Sequence, residues 1–394
     1  MSSIFILVNS LSHGGTEYVV SELSLGLSKS MDCQVITTSG RQKPVFQTNV
    51  PPIALCTPNP NVPRLIKLPY YGLRLLLRYI SLVRQHRPDV ILSTHPETNL
   101  LNLLTCRLLG VKSIISIHEK PSHISGMSHL HSFIKQSVCR LSGKLADEIV
   151  TVSEGLRDVL VNDFSIPKEN IRVIYNPINI EKIDQMKDEI VEEAFFKTDN
   201  PIIVCVGGLT GQKGQWHLIR VFAEIEKKTP CKLVLCGSGK LASYYKSLVD
   251  YYNLEEKVLF TGFVENVYKY MRASDIFVSS SLFEGFGIVL VEAMECGCAV
   301  VASDCKYGPR EVLGGGEYGL LCAEQTDDYP EPGAPLTESE KDMMNKITLL
   351  LNDTNLRETM SENGFNRAKE FKREIACGKY KLLIDKLKTY SKDE

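Results

Sequence analysis

Two carboxylates flank a glycine-rich turn in the stretch FEGFGIVLVEAM, residues 283–294. Glu284 precedes the Gly-Phe-Gly turn, and Glu292 lies about a helical turn beyond it. Carboxylates in such a place can exchange protons, bind a metal, bind ligand hydroxyls, or only cap a helix or face solvent. Since the spacing separates the two groups, it favours contacts with different parts of one extended ligand over a shared proton or metal.

The glycine turn itself offers a second kind of chemistry. Gly285 and Gly287 interrupt a predicted strand, and the apolar run from Ile288 predicts a helix that starts there. The first N–H groups of a helix lack internal acceptors and carry roughly half a positive charge, which suits a phosphate group. The stretch therefore predicts an anion site beside a carboxylate.

The elements that must position these groups repeat twice along the chain. Short runs rich in valine and isoleucine alternate with longer helical patterns, which predicts β-α-β units and parallel sheets. The runs are IFILV (4–8), CQVITT (33–38), DVILST (89–94), SIISI (113–117), EIVTV (148–152) and IRVIY (171–175), then PIIVCVGG (201–208), CKLVLCGSG (231–239), KVLFTGF (257–263), DIFVSSS (275–281), AVVAS (299–303) and GLLCA (319–323). Such sheets bind ligands beyond the carboxyl ends of their strands, where several glycine-rich loops are expected.

The length of 394 residues predicts two domains, because one core rarely organises so long a chain. We expect an amino-terminal domain over 1–177, a charged linker over 178–198 and a carboxy-terminal domain over 199–370. Residues 371–394 are predicted to form a helix that packs back on the first domain.

Composition and cysteine usage indicate the compartment. The twelve cysteines are scattered through apolar runs without a C-x-x-C pair, as expected of buried thiols in a reducing environment. The start MSSIFILVNS lacks the features of a signal peptide, and no apolar run reaches the length of a membrane span. The expected location is the cytoplasm. No cofactor is expected, and since no D-x-D triplet occurs, no metal either.

The motifs together resemble those of a known family. The stretch with Glu284 and Glu292 is similar to the E-x7-E signature of the retaining GT-B glycosyltransferases of glycosyltransferase family 4, and CKYGPREVL (305–313) extends it. HGGTE (13–17) resembles the family's amino-terminal glycine loop, GLTGQKGQWHLIRVF (208–222) its phosphate-binding segment, and VIYNPIN (173–179) its linker entrance. The resemblance covers nearly the whole chain and implies two Rossmann-like doubly wound α/β domains facing a central cleft.

The resemblance also implies roles for single residues. Glu292 would bind the ribose of a nucleotide sugar, Glu284 would contact the transferred sugar, and the Lys213 ammonium would stabilise the departing diphosphate. Taken alone, a lysine in a glycine-rich turn is usually just solvated. Donor binding is implied for Gly14, Gly15, Lys213, Gly285, Phe286, Gly287, Ile288 and Glu292, and catalysis for Glu284, His118 and Lys213.

Gly208 and His118 are two further positions that bear on this site. Many relatives carry an arginine where this chain has Gly208, so a bidentate phosphate donor is missing. His118 follows a predicted strand where the family often places a histidine near the reacting carbon, although a histidine after a strand is more often structural. If functional, it would hydrogen-bond the transferred sugar or orient the acceptor hydroxyl.

The acceptor side is predicted from charge. No acidic residue lies between Asp32 and Asp89, while eight basic residues do: Arg41, Lys43, Arg64, Lys67, Arg74, Arg78, Arg84 and Arg87. Residues 70–86 form an amphipathic pattern, with Leu73, Leu76, Leu77, Ile80 and Val83 opposite Arg74, Arg78, Ser81 and Gln85. Such a helix either packs on its sheet with arginines in water or meets an anionic membrane surface that carries a lipid-linked acceptor.

The expected activity is transfer of a hexose or N-acetylhexosamine, with retention, from a nucleotide diphosphate sugar, expected to be UDP-linked, to a glycan acceptor. A lipid-linked acceptor in surface polysaccharide, lipopolysaccharide or oligosaccharide biosynthesis, and a position on the inner face of the cell membrane, would fit the basic domain. No nucleic acid partner is expected. A nucleotide-sugar epimerase or a non-catalytic nucleotide-sugar-binding protein remains open on the same architecture. A nicotinamide-dependent oxidoreductase is disfavoured, because SLSHGGTEYV lacks the required glycine spacing.

Overall fold

The chain separates into two compact units in a computed structural model. The structure describes residues 2–12, 14–40, 43–56, 64–121 and 129–390, without the side chains of 64–70, 129–131 and 390. The first unit comprises Met1–Pro177 with Arg373–Glu394, and the second comprises Ile178–Lys372. Arg41, predicted as part of the basic stretch, lies outside the described residues, as do the side chains of Arg64 and Lys67.

The described part of the first unit contains a parallel sheet of seven strands in the order β3-β2-β1-β4-β5-β6-β7. Its strands are β1 (Ser3–Val8), β2 (Asp32–Ser39), β3 (Ile53–Cys56), β4 (Val90–Ser93), β5 (Lys112–Ile117), β6 (Glu148–Thr151) and β7 (Ile171–Val173), and its first helices are α1 (Gly15–Leu27), α2 (Arg64–His86), α3 (Pro96–Leu109), α4 (His129–Leu145) and α5 (Glu154–Phe164). Six strands overlap predicted runs. Strand β3 was not predicted, because the prolines on both sides of it in the sequence, at positions 51, 52 and 58, are typical of a loop.

Helix α2 includes the predicted segment 70–86 but begins earlier, at Arg64, and only part of the predicted apolar side is packed. Tyr79 and Val83 are buried in the core, and Leu75, Leu76 and Leu82 pack against it. Leu73 and Leu77, which belong to the same predicted apolar side, are 60% and 58% exposed. The run of leucines covers more than half of the helix circumference, so its pattern alone could not select the packed side.

The described second unit is built on a parallel sheet of six strands in the order β10-β9-β8-β11-β12-β13. Its strands are β8 (Ile202–Val206), β9 (Lys232–Cys236), β10 (Val258–Gly262), β11 (Ile276–Ser279), β12 (Ala299–Ser303) and β13 (Leu320–Cys322), and its helices are α6 (Ile180–Met186), α7 (Gln215–Glu226), α8 (Ala242–Tyr251), α9 (Tyr268–Arg272), α10 (Ile288–Glu295), α11 (Pro309–Val312), α12 (Glu338–Asn352) and α13 (Thr354–Ala368). All six strands coincide with predicted runs, since strands buried on both faces need continuous apolar sequence.

The segment predicted as a linker belongs to the second unit. It contains α6, whose Ile180 and Ile183 are buried, and α6 packs against α10. After α13 the chain returns to the first unit through α14 (Arg373–Tyr390), which packs against α1. There Arg373 donates a buried hydrogen bond of 2.9 Å to Glu22.

Both units are parallel-sheet α/β folds of the Rossmann type, which confirms the predicted fold class. Within the described ranges, no helix has the length and apolarity that crossing a bilayer requires.

Candidate active site

Lys213 and Glu284 form an ion pair at the carboxyl ends of β8 and β11. The Lys213 Nζ atom lies 2.5 Å from Glu284 Oε1, and the Ser281 hydroxyl donates to the same oxygen over 2.8 Å. The side chains of Lys213 and Glu284 are 24% and 11% exposed, so the pair lies at the edge of the protein interior. Two residues predicted for phosphate and sugar contacts are thus adjacent in space, 71 positions apart in sequence.

The loop that carries Lys213 is held against the segment after β11. The Leu282 N–H donates to the Gln212 carbonyl at 2.8 Å, and the Gln212 side chain donates to the Phe283 carbonyl at 3.1 Å. Gly214 has a φ of 58°, and a Cβ there would collide with the Ser280 carbonyl. A side chain at position 214 would therefore push apart the two segments that position the ion pair.

The ion pair keeps Lys213 protonated. Burial on its own would lower the pKa of the Lys213 ammonium, but the neighbouring Glu284 carboxylate more than offsets this effect and raises the pKa above its ordinary value of 10.5. The lysine side chain lies over Gly207, where a Cβ would meet three of its carbon atoms at 3.5 Å. Its charge is therefore held in a defined place.

The backbone at Glu284 is held by the CKYGPREVL segment, residues 305–313. Glu284 and Tyr307 form a parallel bridge, in which the Glu284 N–H donates to the Lys306 carbonyl and the Tyr307 N–H donates to the Glu284 carbonyl, at 3.1 and 2.6 Å. A Cβ on Gly308 would collide with the backbone of Phe286. The CKYGPREVL segment thus packs directly on the glycine turn.

The glycine turn leads into α10 as predicted. Gly287 caps the helix with a φ of 93°, which favours glycine, and Ile288 is its first residue. The Phe286 side chain is 2% exposed and its ring packs edge-on against Phe371, with the ring centroids 5.4 Å apart. Phe286 thus anchors the turn through its side chain, and Gly285, which has no side chain, precedes Phe286.

Glu292 lies on α10, and its carboxylate accepts a hydrogen bond of 3.1 Å from the Tyr268 hydroxyl. Tyr268 is buried at the start of α9, so it restricts the carboxylate to a small range of orientations. Glu284 thus bonds with Lys213 and Ser281, and Glu292 bonds with Tyr268.

Gly208 lies on the exposed rim of the same loop. A Cβ there would meet only Thr210 and Ser238, at ordinary contact distances of 3.6 and 3.8 Å, and Gly208 is not among the glycines with positive φ. The loops after β8 and β9 are joined by a hydrogen bond of 3.0 Å from the Leu209 N–H to the Ser238 carbonyl. Position 208 can therefore accommodate a side chain.

In the first unit, the glycine loop after β1 lies beside a carboxylate that sequence reasoning did not select. Gly14 has a φ of 143°, and a Cβ on it would collide with the Glu17 carboxylate; Gly15 begins α1. Glu17 Oε1 lies 3.7 Å from His95 Nε2, and His95 caps α3 directly after β4. Glu17 belongs to the HGGTE motif, so the sequence already pointed to its position, whereas no sequence motif pointed to His95.

His118 follows β5 as predicted and is partly buried. Its Nε2 lies 3.0 Å from the Ser116 hydroxyl, which in turn lies 3.3 Å from the Tyr380 hydroxyl on α14. Burial, with a smaller contribution from His95, lowers the pKa of His118 to about 3. A neutral imidazole can exchange hydrogen bonds with a ligand but is a weak proton acceptor at neutral pH.

Comparison with known proteins identifies both halves of the chain. Residues 13–182 match the model of Glycosyltransferase Family 4, and residues 186–367 match that of Glycosyl transferases group 1. An N-acetylgalactosamine-N,N'-diacetylbacillosaminyl-diphospho-undecaprenol 4-alpha-N-acetylgalactosaminyltransferase from Campylobacter jejuni is 32% identical over 98% of this chain and 100% of its own length. The amylovoran biosynthesis glycosyltransferase AmsD of Erwinia amylovora is 26% identical over 79% of this chain and 84% of its own.

Solved structures support the same fold. Anabaena HepE in complex with UDP and glucose superimposes with a TM-score of 0.77 at 20% identity, covering 98% of this chain and 100% of that one. The sucrose-phosphate synthase from Thermosynechococcus elongatus gives a TM-score of 0.77 at 20% identity, over 98% and 99% of the two chains. From its full-length similarity and its two matching domains, the chain belongs to the GT-B glycosyltransferases.

Proposed function

We propose that this glycosyltransferase moves a hexose or N-acetylhexosamine, with retention of anomeric configuration, from a UDP-sugar to a lipid-linked glycan. The observation that carries the proposal is the ion pair between Lys213 and Glu284 beside the start of α10, which brings a phosphate-binding cation to a sugar-binding carboxylate. The lipid-linked acceptor is proposed from the relative whose name includes a diphospho-undecaprenol. The UDP donor is proposed from the UDP complex of HepE.

The proposed chemistry uses Lys213 at the leaving group. The bond between the anomeric carbon and the diphosphate oxygen breaks, the acceptor oxygen forms the new bond on the same face, and the acceptor proton passes to the departing phosphate. The Lys213 ammonium stabilises the charge that develops on the diphosphate. Glu284 contacts a hydroxyl of the transferred sugar or its developing positive charge.

The remaining residues bind and orient the substrates. Glu292, oriented by Tyr268, binds the ribose hydroxyls, and the backbone from Gly285 to Ile288 binds sugar and diphosphate. We propose that Gly14 and Gly15 contribute backbone groups to the donor, and that His118, which is neutral, hydrogen-bonds the sugar or the acceptor hydroxyl.

No metal is needed in this proposal. A lysine ammonium and the N–H groups at the start of α10 can both balance diphosphate charge, which a divalent cation does in other transferases. We further propose a cytoplasmic chain on the inner face of the cell membrane, with the basic amino-terminal domain towards anionic lipid.

The test is a panel of nucleotide sugars assayed for release of nucleoside diphosphate, with and without a short-chain lipid-diphosphate glycan. We expect release to require both one donor and the acceptor, and the product to keep the donor's anomeric configuration by NMR. A donor converted without any acceptor would indicate the epimerase, which the transferase relatives disfavour. Donor binding without turnover of any kind would indicate the non-catalytic alternative.

A further inference from the structure

Four helices of the first unit, α2 to α5, lie on one face of its sheet. They connect β3 to β4, β4 to β5, β5 to β6 and β6 to β7, so each crossover moves in the same direction across the sheet. Right-handed crossovers in one direction lie on one face, and α3 packs against both α2 and α4. The outer sides of α2, α3 and α4 therefore form a continuous surface, which we call the three-helix face, and α5 lies beside α4.

Large apolar side chains project from the three-helix face. Each helix contributes two that are exposed by more than two fifths of their surface: Leu73 (60%), Leu77 (58%), Leu104 (46%), Leu108 (62%), Phe133 (67%) and Ile134 (44%). Single exposed leucines are ordinary on a soluble protein. Pairs on three adjacent helices are not, because monomeric proteins rarely leave a grouped apolar surface of this kind in water.

The three-helix face carries mainly positive charge, whereas the neighbouring α5 exposes Asp158 and Asp163. Exposed basic side chains alternate with the apolar ones on all three helices: Arg74, Arg78, Arg84, Arg107, Arg140 and Lys144. The sequences of the three helices contain one acidic residue, Glu97, at the start of α3. This pattern complements a surface that is apolar inside and negatively charged at its boundary.

We propose that the three-helix face binds the surface of an anionic lipid bilayer. The leucine, isoleucine and phenylalanine side chains enter the boundary between head groups and acyl chains, and the guanidinium groups meet lipid phosphates. A globular protein partner would need an acidic surface with an apolar pocket for each pair of exposed side chains. An anionic bilayer offers both lipid phosphates and acyl chains along the whole three-helix face. The inference rests on the proposed function, because a lipid-linked acceptor is available only at a membrane, and it adds α3 and α4 to the predicted basic helix.

The experiment is co-sedimentation of the full chain with vesicles of phosphatidylcholine containing about 30% phosphatidylglycerol. We expect binding to these vesicles, weaker binding to pure phosphatidylcholine, and loss of binding in about 0.5 M salt. The variant L73S/L77S/L108S should bind at least tenfold more weakly, since each leucine buried in the bilayer boundary contributes on that order. The variant R74Q/R78Q should lose about fivefold for each arginine and only on anionic vesicles.

A matched control is Leu382→Ser on α14, which is 72% exposed and lies on the helix that packs against α1 rather than on the three-helix face. It should bind vesicles like the unmodified chain. Equal loss in L73S/L77S/L108S and in the control, or full binding by the triple variant, would overturn the proposal. Capture of acidic protein or nucleic acid in place of vesicles would overturn it too.

The two proposals can fail separately. Turnover on a short-chain, water-soluble acceptor needs no bilayer, so the triple variant should keep it, whereas its turnover on acceptor embedded in vesicles should fall at least tenfold. A chain that binds vesicles but transfers no sugar would refute the proposed activity and leave the three-helix face standing. A chain that transfers sugar but does not bind anionic vesicles would refute the proposed role of the three-helix face and leave the proposed activity standing.

Discussion

Replacing Lys213 with alanine should remove most of the stabilisation of the leaving diphosphate. The ammonium is 24% exposed and held 2.5 Å from Glu284, so its charge is both partly desolvated and fixed in position. The loss of one such preorganised charge in the transition state costs about 3 kcal/mol, or about a hundredfold in rate. We therefore expect kcat/KM for the preferred donor to fall by about two orders of magnitude.

The same substitution should also lower stability, which must be separated from the effect on rate. It leaves the Glu284 carboxylate, 11% exposed, with the Ser281 hydroxyl but without its cation, which costs about 1–3 kcal/mol. Adding Glu284→Gln to Lys213→Ala removes the unpaired charge. The double variant should regain thermal stability without regaining activity.

The assay is steady-state release of nucleoside diphosphate, with thermal unfolding measured on the same preparations. A Lys213→Ala enzyme that keeps more than half of the original kcat/KM would show that another cation holds the phosphates. The assignment of residues 208–222 to the phosphate site would then be wrong. Recovery of activity in the double variant would show instead that the single substitution had damaged the fold.

Gly208→Arg tests the same loop in the opposite direction. The backbone there does not require glycine, and a Cβ would make only ordinary contacts with Thr210 and Ser238. An arginine should therefore fold normally, and its guanidinium should lower the donor KM or leave it unchanged. A clear rise in the donor KM with an unchanged melting temperature would mean that this rim does not face the diphosphate.

The remaining expectations concern four other features. Glu292→Ala should raise the donor KM at least tenfold while Glu284→Gln mainly lowers kcat, and equal loss of nucleotide affinity in both would contradict the separate roles. Turnover should persist in excess EDTA; rescue by Mn²⁺ alone would refute metal independence. Burial alone would raise the pKa of Glu340, but the hydrogen bonds that its carboxylate accepts lower the pKa from 4.5 to about 2. The ionised carboxylate therefore stabilises the fold by about 3 kcal/mol above pH 4.5, and this contribution decreases as the pH falls towards 2. Urea unfolding of Glu340→Gln should show that loss at pH 7 and a weaker acid dependence. Since burial lowers the pKa of His118 to about 3, His118→Asn should reduce turnover without moving any inflection of the rate between pH 5 and 8; a shifted inflection would show that the histidine titrates there.

Much of the fold is readable from the chain because parallel strands buried on both faces must be continuously apolar. Strands such as β1 and β8 therefore appear as runs of valine, isoleucine and leucine, and glycines follow them where the loops turn. Strand β3 was not recognised, because its short apolar run stands between prolines that are typical of a loop. The family resemblance was equally visible in the sequence, and the family models match residues 13–182 and 186–367.

The sequence by itself determined the two parallel-sheet units and the residues from which a donor site could be built. Only the tertiary structure decided which of them meet: the pairing of Lys213 with Glu284 spans 71 positions and depends on the two strands that precede them. It also decided which side of α2 is packed, because a rotation of one residue, about 100°, exchanges Leu77 for Leu76 while the leucine pattern stays almost the same. Periodicity defines the elements, but contacts between distant segments and the rotation of a helix on its sheet are set by packing that no local pattern contains.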